Sequence, residues 1–290
     1  MTIDRDAALA APPTRRDISW TERDVMLYQL GLGAGASPLD PAELAWVYEK
    51  DLKVLPTFAM VAGQGISAGH APAPGMSMPG IDIDLRRILH AGQSLTVHAP
   101  IPAAGGAVLS SRTADVWDKG KAAVVVRETD AVDRETGEPL WTSRMQIWAR
   151  GEGGFGGPAG PADPPAVPAR EPDKVLVSAT TPSQALLYRL SADMNPLHAD
   201  PRFAAAAGFD RPILHGLASY GVVCRAVVDG ILGGDPGRVS EYSVRFAGTL
   251  VPGESIETAV WQDGSTLTLV ATCPERSGAP VLTHARMETV

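Results

Sequence analysis

An aspartate, an asparagine and a histidine fall within six residues of one another at Asp193, Asn195 and His198, and a His-Gly pair follows at His215 and Gly216. A carboxylate beside an imidazole can take a proton from water and return one elsewhere, and an amide between them can orient that water. Gly216 opens a long apolar run. The first N–H groups of a helix have no acceptor inside it, so they can donate to an oxygen on which charge develops. The spacing thus joins general acid–base chemistry to an oxyanion site. The plainer readings are turn formation before Pro196 for Asp193 and Asn195, a core or cap role for His198, and packing for His215 and Tyr188. A metal site at Asp193, His198 and His215 is disfavoured, because Asp-x-Asn-x-x-His is no common ligand spacing.

Several local signals predict the elements that hold these groups. Ser19 to Glu22 and Thr181 to Gln184 read as capping boxes, and Asp40-Pro41 and Asp200-Pro201 as further helix starts. The second of these leads through Phe203 and four alanines to Gly208. Pro212 precedes an apolar segment, Ile213 to Leu232, whose Gly216, Ala218, Ser219 and Gly221 suit a helix sunk against a sheet. Strand-like runs follow at 239–248, 254–262, 265–273 and 280–289, with counterparts near 93–99, 107–117, 121–131 and 140–149. Helices followed by a meander of strands predict an α+β fold with an antiparallel sheet.

The order occurs twice. Leu27 to Leu30 matches Leu187 to Leu190, Leu55 to Phe58 matches Arg211 to Leu214, and Gly92 to Leu95 matches Gly253 to Ile256, which suggests an internal duplication. A Gly/Pro-rich segment, 151–173, with Gly-Gly-Phe-Gly-Gly at 153–157, reads as the linker between residues 1–150 and 174–290. Only the second copy carries the polar set. Gly31 to Ala34 stand where Ser191 to Met194 stand, and Met60 or Val61 falls near the place of Gly216.

Composition bounds the partners. The 290 residues are 44% hydrophobic and carry a net charge of −8, which speaks against a broad nucleic-acid-binding face. Two cysteines, Cys224 and Cys273, make no disulfide framework and suit a reducing interior. No run approaches a membrane span, no signal-peptide core opens the chain, and Arg-Met-Glu-Thr-Val is not a peroxisomal address, so the expected compartment is the cytoplasm.

Ser191-Ala192-Asp193-Met194-Asn195-Pro196-Leu197-His198, with Asp200-Pro201, Phe203, Gly208-Phe209 and Pro212-Ile213-Leu214-His215-Gly216, resembles the R-specific enoyl-CoA hydratases (hydratase 2, or MaoC-like dehydratases), in particular the hydratase portion of peroxisomal multifunctional enzyme type 2. Leu55-Pro56-Thr57-Phe58, Leu89-His90, Asp118-Lys119-Gly120 and Gly153 to Gly157 extend the likeness over nearly the whole chain. The resemblance implies a double hotdog, each half an antiparallel sheet wrapped around a long central helix. It implies hydration of trans-2-enoyl-CoA to the (3R)-3-hydroxyacyl-CoA by Asp193, His198, Asn195 and the Gly216 N–H, in the second half only. No metal and no cofactor are expected beyond the coenzyme A of the substrate, and a homodimer is. For substrate binding the candidates are His90, Lys119, Lys121, Phe58 and Met60, with Arg86 and Arg87 as further cations for the CoA phosphates. The apolar segment Leu52 to Gly65 is expected to house the acyl tail. The competing readings are a dehydratase working with an acyl carrier protein and a non-catalytic acyl-CoA-binding subunit. Ala192 stands where the family has glycine.

Overall fold

The computed structural model describes residues 3–64, 78–83, 87–162, 167–191 and 193–290. The first half runs α1 (Arg5–Ala10), β1 (Thr14–Trp20), α2 (Glu22–Gly31), α3 (Pro41–Leu44), a 3-10 turn (Pro56–Met60), then β2 (Ile88–Val97), β3 (Gly105–Asp118), β4 (Ala122–Asp133) and β5 (Pro139–Arg150). The second repeats that order: β6 (Lys174–Ala179), α4 (Gln184–Tyr188), a 3-10 turn (Pro196–His198), α5 (Pro201–Ala206), α6 (Gly216–Gly230), then β7 (Val239–Phe246), β8 (Ser255–Asp263), β9 (Thr266–Cys273) and β10 (Ala279–Thr289). All ten strands join one antiparallel sheet in the order β1-β3-β4-β5-β2-β7-β10-β9-β8-β6. The two halves meet where β2 pairs with β7, from Gly92 opposite Arg245 to Thr96 opposite Glu241. This is the α+β double hotdog.

The chemistry of each start explains the short helices. Asp40 accepts from the Ala42 N–H and Asp200 from those of Arg202 and Phe203, each with proline at the first helical position. Gly208, at φ +88°, lies just past the end of α5 in the left-handed region that glycine adopts freely. The first capping box is displaced. Ser19 lies within β1, and Thr21 with Asp24 closes the box that opens α2. At the second, Gln184 accepts from the Thr181 N–H as expected.

In the second half α6 fills the concave face. Ala218, Tyr220, Val223, Cys224 and Val227 are buried on it, and β9 alternates so that Leu267, Leu269, Ala271 and Cys273 face inward. The equivalent of α6 in the first half differs from expectation. Among the described residues, Leu55 to Gln64 form only the 3-10 turn and its exit through Gly63, at φ +67°, instead of a long helix. The positive φ ends any helical run at that point.

Topology also corrects one repeat match. Strand order makes β2 the counterpart of β7, and β3 that of β8, so Gly92 in β2 does not correspond to Gly253 ahead of β8. The match of Leu27 to Leu30 with Leu187 to Leu190 agrees with the structure. Tyr28 and Tyr188 are both fully buried, with rings 5.9 Å apart across the α2–α4 contact. The 151–173 segment has no helix or strand among its described residues, yet it is fastened to the first half. Asp118 accepts from the Gly154 and Gly156 N–H groups and donates its own N–H to the Pro158 carbonyl. No described helix is long and apolar enough to cross a membrane.

Candidate active site

The turn between α4 and α5 brings the polar set together. Asp193 Oδ1 accepts from the Asn195 N–H at 2.9 Å, and Asn195 Oδ1 accepts from the Leu197 N–H at 3.0 Å. The turn-forming reading of these residues is therefore correct, but it uses one oxygen of each. Asp193 Oδ2 faces His198 Nε2 at 3.9 Å, and neither that oxygen nor the Asn195 amide nitrogen has a hydrogen-bond partner among the described residues. Asp193 is half exposed, whereas His198 is buried.

Hydrogen bonding fixes the imidazole tautomers. His198 Nδ1 lies 2.8 Å from the Ile213 carbonyl, which can only accept, so Nδ1 carries the proton and Nε2 has a free lone pair. Two acceptors facing each other across 3.9 Å match a molecule with two donor hydrogens, and water is the smallest such molecule. His215 lies beneath this pair. Its ring stacks on His198 with centroids 3.7 Å apart, and its Nε2 donates to the Asp193 carbonyl at 3.1 Å. Tyr188 packs against its other side at 4.8 Å, and Arg189 donates to the Met194 carbonyl at 2.9 Å. His215 and Arg189 thus hold the turn from two sides.

Gly216 begins α6 directly after His215, and no side chain caps that end. Its exposed N–H has no acceptor inside the helix, and the positive end of the helix dipole lies there. A Cβ at Gly216 would come within 3.2 Å of the Phe246 ring, so glycine keeps this end open. The first half contributes here too. His90 on β2 meets Phe246 edge-on at 4.7 Å, bonds Gln93 at 3.1 Å and feels the charge of Asp193.

A cavity of about 500 Å³ adjoins this end, on the concave face of the first-half strands. Leu217 lines it from α6, Gln93 from β2, and Ala59, Met60 and Ala62 from the 3-10 segment. Met60 thus borders this space. Phe58 is a core residue instead, fully buried against Trp20 and Tyr28. Lys119 lies over the Trp117 ring in the Asp118 corner, Lys121 is exposed beside it, and Arg87 faces Glu152 at 3.8 Å. None of these three joins the Asp193–His198 group. Arg86, Gly65 and Ala192 lie outside the described residues. The parts that sequence reasoning missed, Phe246, Gln93 and Arg189, come from separate elements with no local motif.

Asp193, His198 and His215 each offer a ligand atom within 4.8 Å of the others and are the described residues able to hold a metal ion. His198 offers Nε2, the nitrogen left over from its carbonyl hydrogen bond and facing Asp193, so a metal there would compete with water for the same space.

Burial sets the electrostatics. It pushes His215 down to about 4, assisted by His198, and His90 to about 4, and it lowers His198 as well. All three imidazoles are neutral at pH 7. From 6.5 down to about 4, an unfolded chain protonates His90 and His215 and the native chain does not, so the unfolded state binds more protons and stability falls as pH falls. Each such group contributes about 1.4 kcal/mol per pH unit in that window. Denaturant titrations from pH 7 to 5 are expected to show this decline. A stability that holds level or rises on acidification would contradict neutral, buried histidines.

Two family models account for most of the chain: the MFE-2 hydratase 2 N-terminal domain matches residues 18–151 and the MaoC like domain residues 164–272. The enoyl-CoA hydratase ChsH3 of Mycobacterium tuberculosis is 48% identical over 287 residues, covering 99% of each chain. The peroxisomal enoyl-CoA hydratase 2 of Arabidopsis thaliana is 38% identical over 268 residues, 87% of this chain and 84% of that one. Among solved structures, a MaoC-like dehydratase from Phytophthora capsici aligns with a TM-score of 0.89 at 29% identity, over 99% of this chain and 98% of that one. The chain belongs to the MaoC-like dehydratase family, in its multifunctional enzyme type 2 hydratase branch, and is a hydro-lyase.

Proposed function

We propose that this enzyme catalyses the reversible addition of water to a trans-2-enoyl-CoA, giving the (3R)-3-hydroxyacyl-CoA. The observation that carries the reading is the pair of acceptors, Asp193 Oδ2 and His198 Nε2, facing each other across 3.9 Å beside the open end of α6. Water held between them, with the free Asn195 amide alongside, is aimed at C3 of the substrate. The pair removes one proton as the O–C3 bond forms, and a proton is returned to C2. Negative charge meanwhile gathers on the thioester oxygen, where the Gly216 N–H donates. Residues 174–290 carry this chemistry, residues 1–150 supply the acyl cavity and His90, and 151–173 joins them. The R configuration follows from likeness to the family.

The test is loss of enoyl absorbance from crotonyl-CoA on adding the purified protein. Coupling the product to an S-specific 3-hydroxyacyl-CoA dehydrogenase and NAD+ is expected to give almost no NADH, whereas an R-specific one oxidises the product and forms NADH. Brisk reduction by the S-specific enzyme would overturn the stereochemical assignment.

A further inference from the structure

Arg127 on β4 is at odds with a purely apolar acyl cavity. Opposite residues of antiparallel neighbours share a face, so register puts Thr113, Arg127, Met145 and Gln93 in one row across four strands. The next row holds Thr14, Ser111, Thr129 and Ser143, with Ser111 and Thr129 hydroxyls bonded at 2.8 Å. Arg127, Thr129 and Ser111 all line the cavity. In the second half the counterpart of β4 is β9, which turns Leu267, Leu269, Ala271 and Cys273 inward against α6.

A guanidinium and hydroxyls on this face have no packing role that leucines would not serve better. Arg127 is partly buried, burial lowers its pKa, and no acid partners it among the described residues. Arg16, opposite Leu109 on the same face, adds an exposed cation to the cavity, and no carboxylate is among the described lining residues. In a chain of net charge −8 that absence is informative. A half-buried cation without a counter-charge is costly, and the cost is relieved when a ligand brings the anion.

Arg127 also lies at the right depth. It stands two strands beyond Gln93, about 10 Å at the usual strand spacing, on the side away from Gly216. A thioester held at Gly216 therefore sends the far end of its acyl chain toward the guanidinium.

We propose that the acyl group received by this cavity ends in a carboxylate, which Arg127 binds beside the Ser111–Thr129 hydroxyl pair. The substrate class is then the ω-carboxy-trans-2-enoyl thioesters, and Arg127 is a specificity-determining residue. This rests on the hydration reading above.

The experiment compares kcat/KM for trans-2-enoyl-CoAs of ten, twelve and fourteen carbons with their ω-carboxy and ω-oxo counterparts, and uses crotonyl-CoA as reference. The wild-type protein is expected to favour the carboxylate over the methyl end by at least about tenfold at one length or more. That ratio is expected to collapse in Arg127→Gln and Arg127→Met and to survive in part in Arg127→Lys, with thermal melting reporting on the fold. The wild-type comparison decides even where a variant fails to fold. Methyl-ended chains turned over as well as the carboxylates at every length would overturn the proposal, as would equal use of the ω-oxo series or a ratio unchanged in folded Arg127→Gln. Hydration of crotonyl-CoA with no carboxylate preference defeats this inference alone, whereas absence of any hydration defeats the functional reading as well.

Discussion

Asp193→Asn and His198→Gln are each expected to lower kcat for enoyl-CoA hydration at least ~100-fold while leaving the fold in place. Asparagine keeps the oxygen that accepts from the Asn195 N–H, so the turn survives, but it puts an amide where the free carboxylate oxygen faced His198. Glutamine can still donate to the Ile213 carbonyl but has no lone pair of comparable basicity to replace Nε2. If the two groups hold one water between them, the double variant loses little more than either single one, because parts that act as a unit do not add. KM changes little in that case, since neither group grips the thioester. Burial also fixes the pH profile. It holds His198 below its ordinary value of 6.5, so the acid limb of kcat/KM is expected below that pH. Purified, folded single variants with near-wild-type turnover would refute the assignment.

The proposed catalytic turn was legible because its residues are close in sequence. Asp193, Asn195 and His198 sit within six residues, and proline starts and aspartate caps bracket them at Pro196 and Asp200-Pro201. The central strands were legible for a similar reason, since β9 alternates cleanly between buried and half-exposed positions. The edge strands were not. β1 reads Thr-Arg-Arg-Asp-Ile-Ser-Trp and buries only Ile18 and Trp20, so most of its pairing with β3 leaves no apolar pattern. Arg189 reads as one more surface cation until its bond to Met194 is seen, and Phe246 as one more strand residue until it covers the start of α6.

The two copies share an order of elements but use corresponding positions differently. Gln29 stands where the second copy has Arg189. Its side chain accepts from the Leu55 N–H and donates to the Trp46 and Lys53 carbonyls, binding the segment that leads into the 3-10 turn. Arg189 instead donates to the Met194 carbonyl, within the turn that carries Asp193 and His198. Sequence alignment of the two copies could reveal the missing Asp and His but not this replacement bond, because a buried glutamine carries no pattern of its own.

Replacing the small residues of the 3-10 segment is expected to change chain-length preference more than any other substitution outside the catalytic turn. Ala59, Met60 and Ala62 face the cavity of about 500 Å³, and Leu217, one residue beyond Gly216, borders it on the other side. An acyl chain leaving the thioester at Gly216 enters this space directly. Each methylene it buries contributes about 0.8 kcal/mol, nearly a factor of four in kcat/KM, so excluding four of them costs more than ~100-fold. Ala59→Phe and Ala62→Phe are expected to remove longer substrates to that extent while crotonyl-CoA, which ends near Gly216, is hydrated at a rate close to wild type. Both alanines are buried, and an added ring carries a risk of overpacking. Met60→Trp, at a partly buried position, fills the same space with less strain. The measurement is kcat/KM for four-, eight-, twelve- and sixteen-carbon enoyl-CoAs in each folded protein. A wild-type profile that is flat or peaks at four carbons, or variants that lose all lengths equally, would show that the acyl chain goes elsewhere.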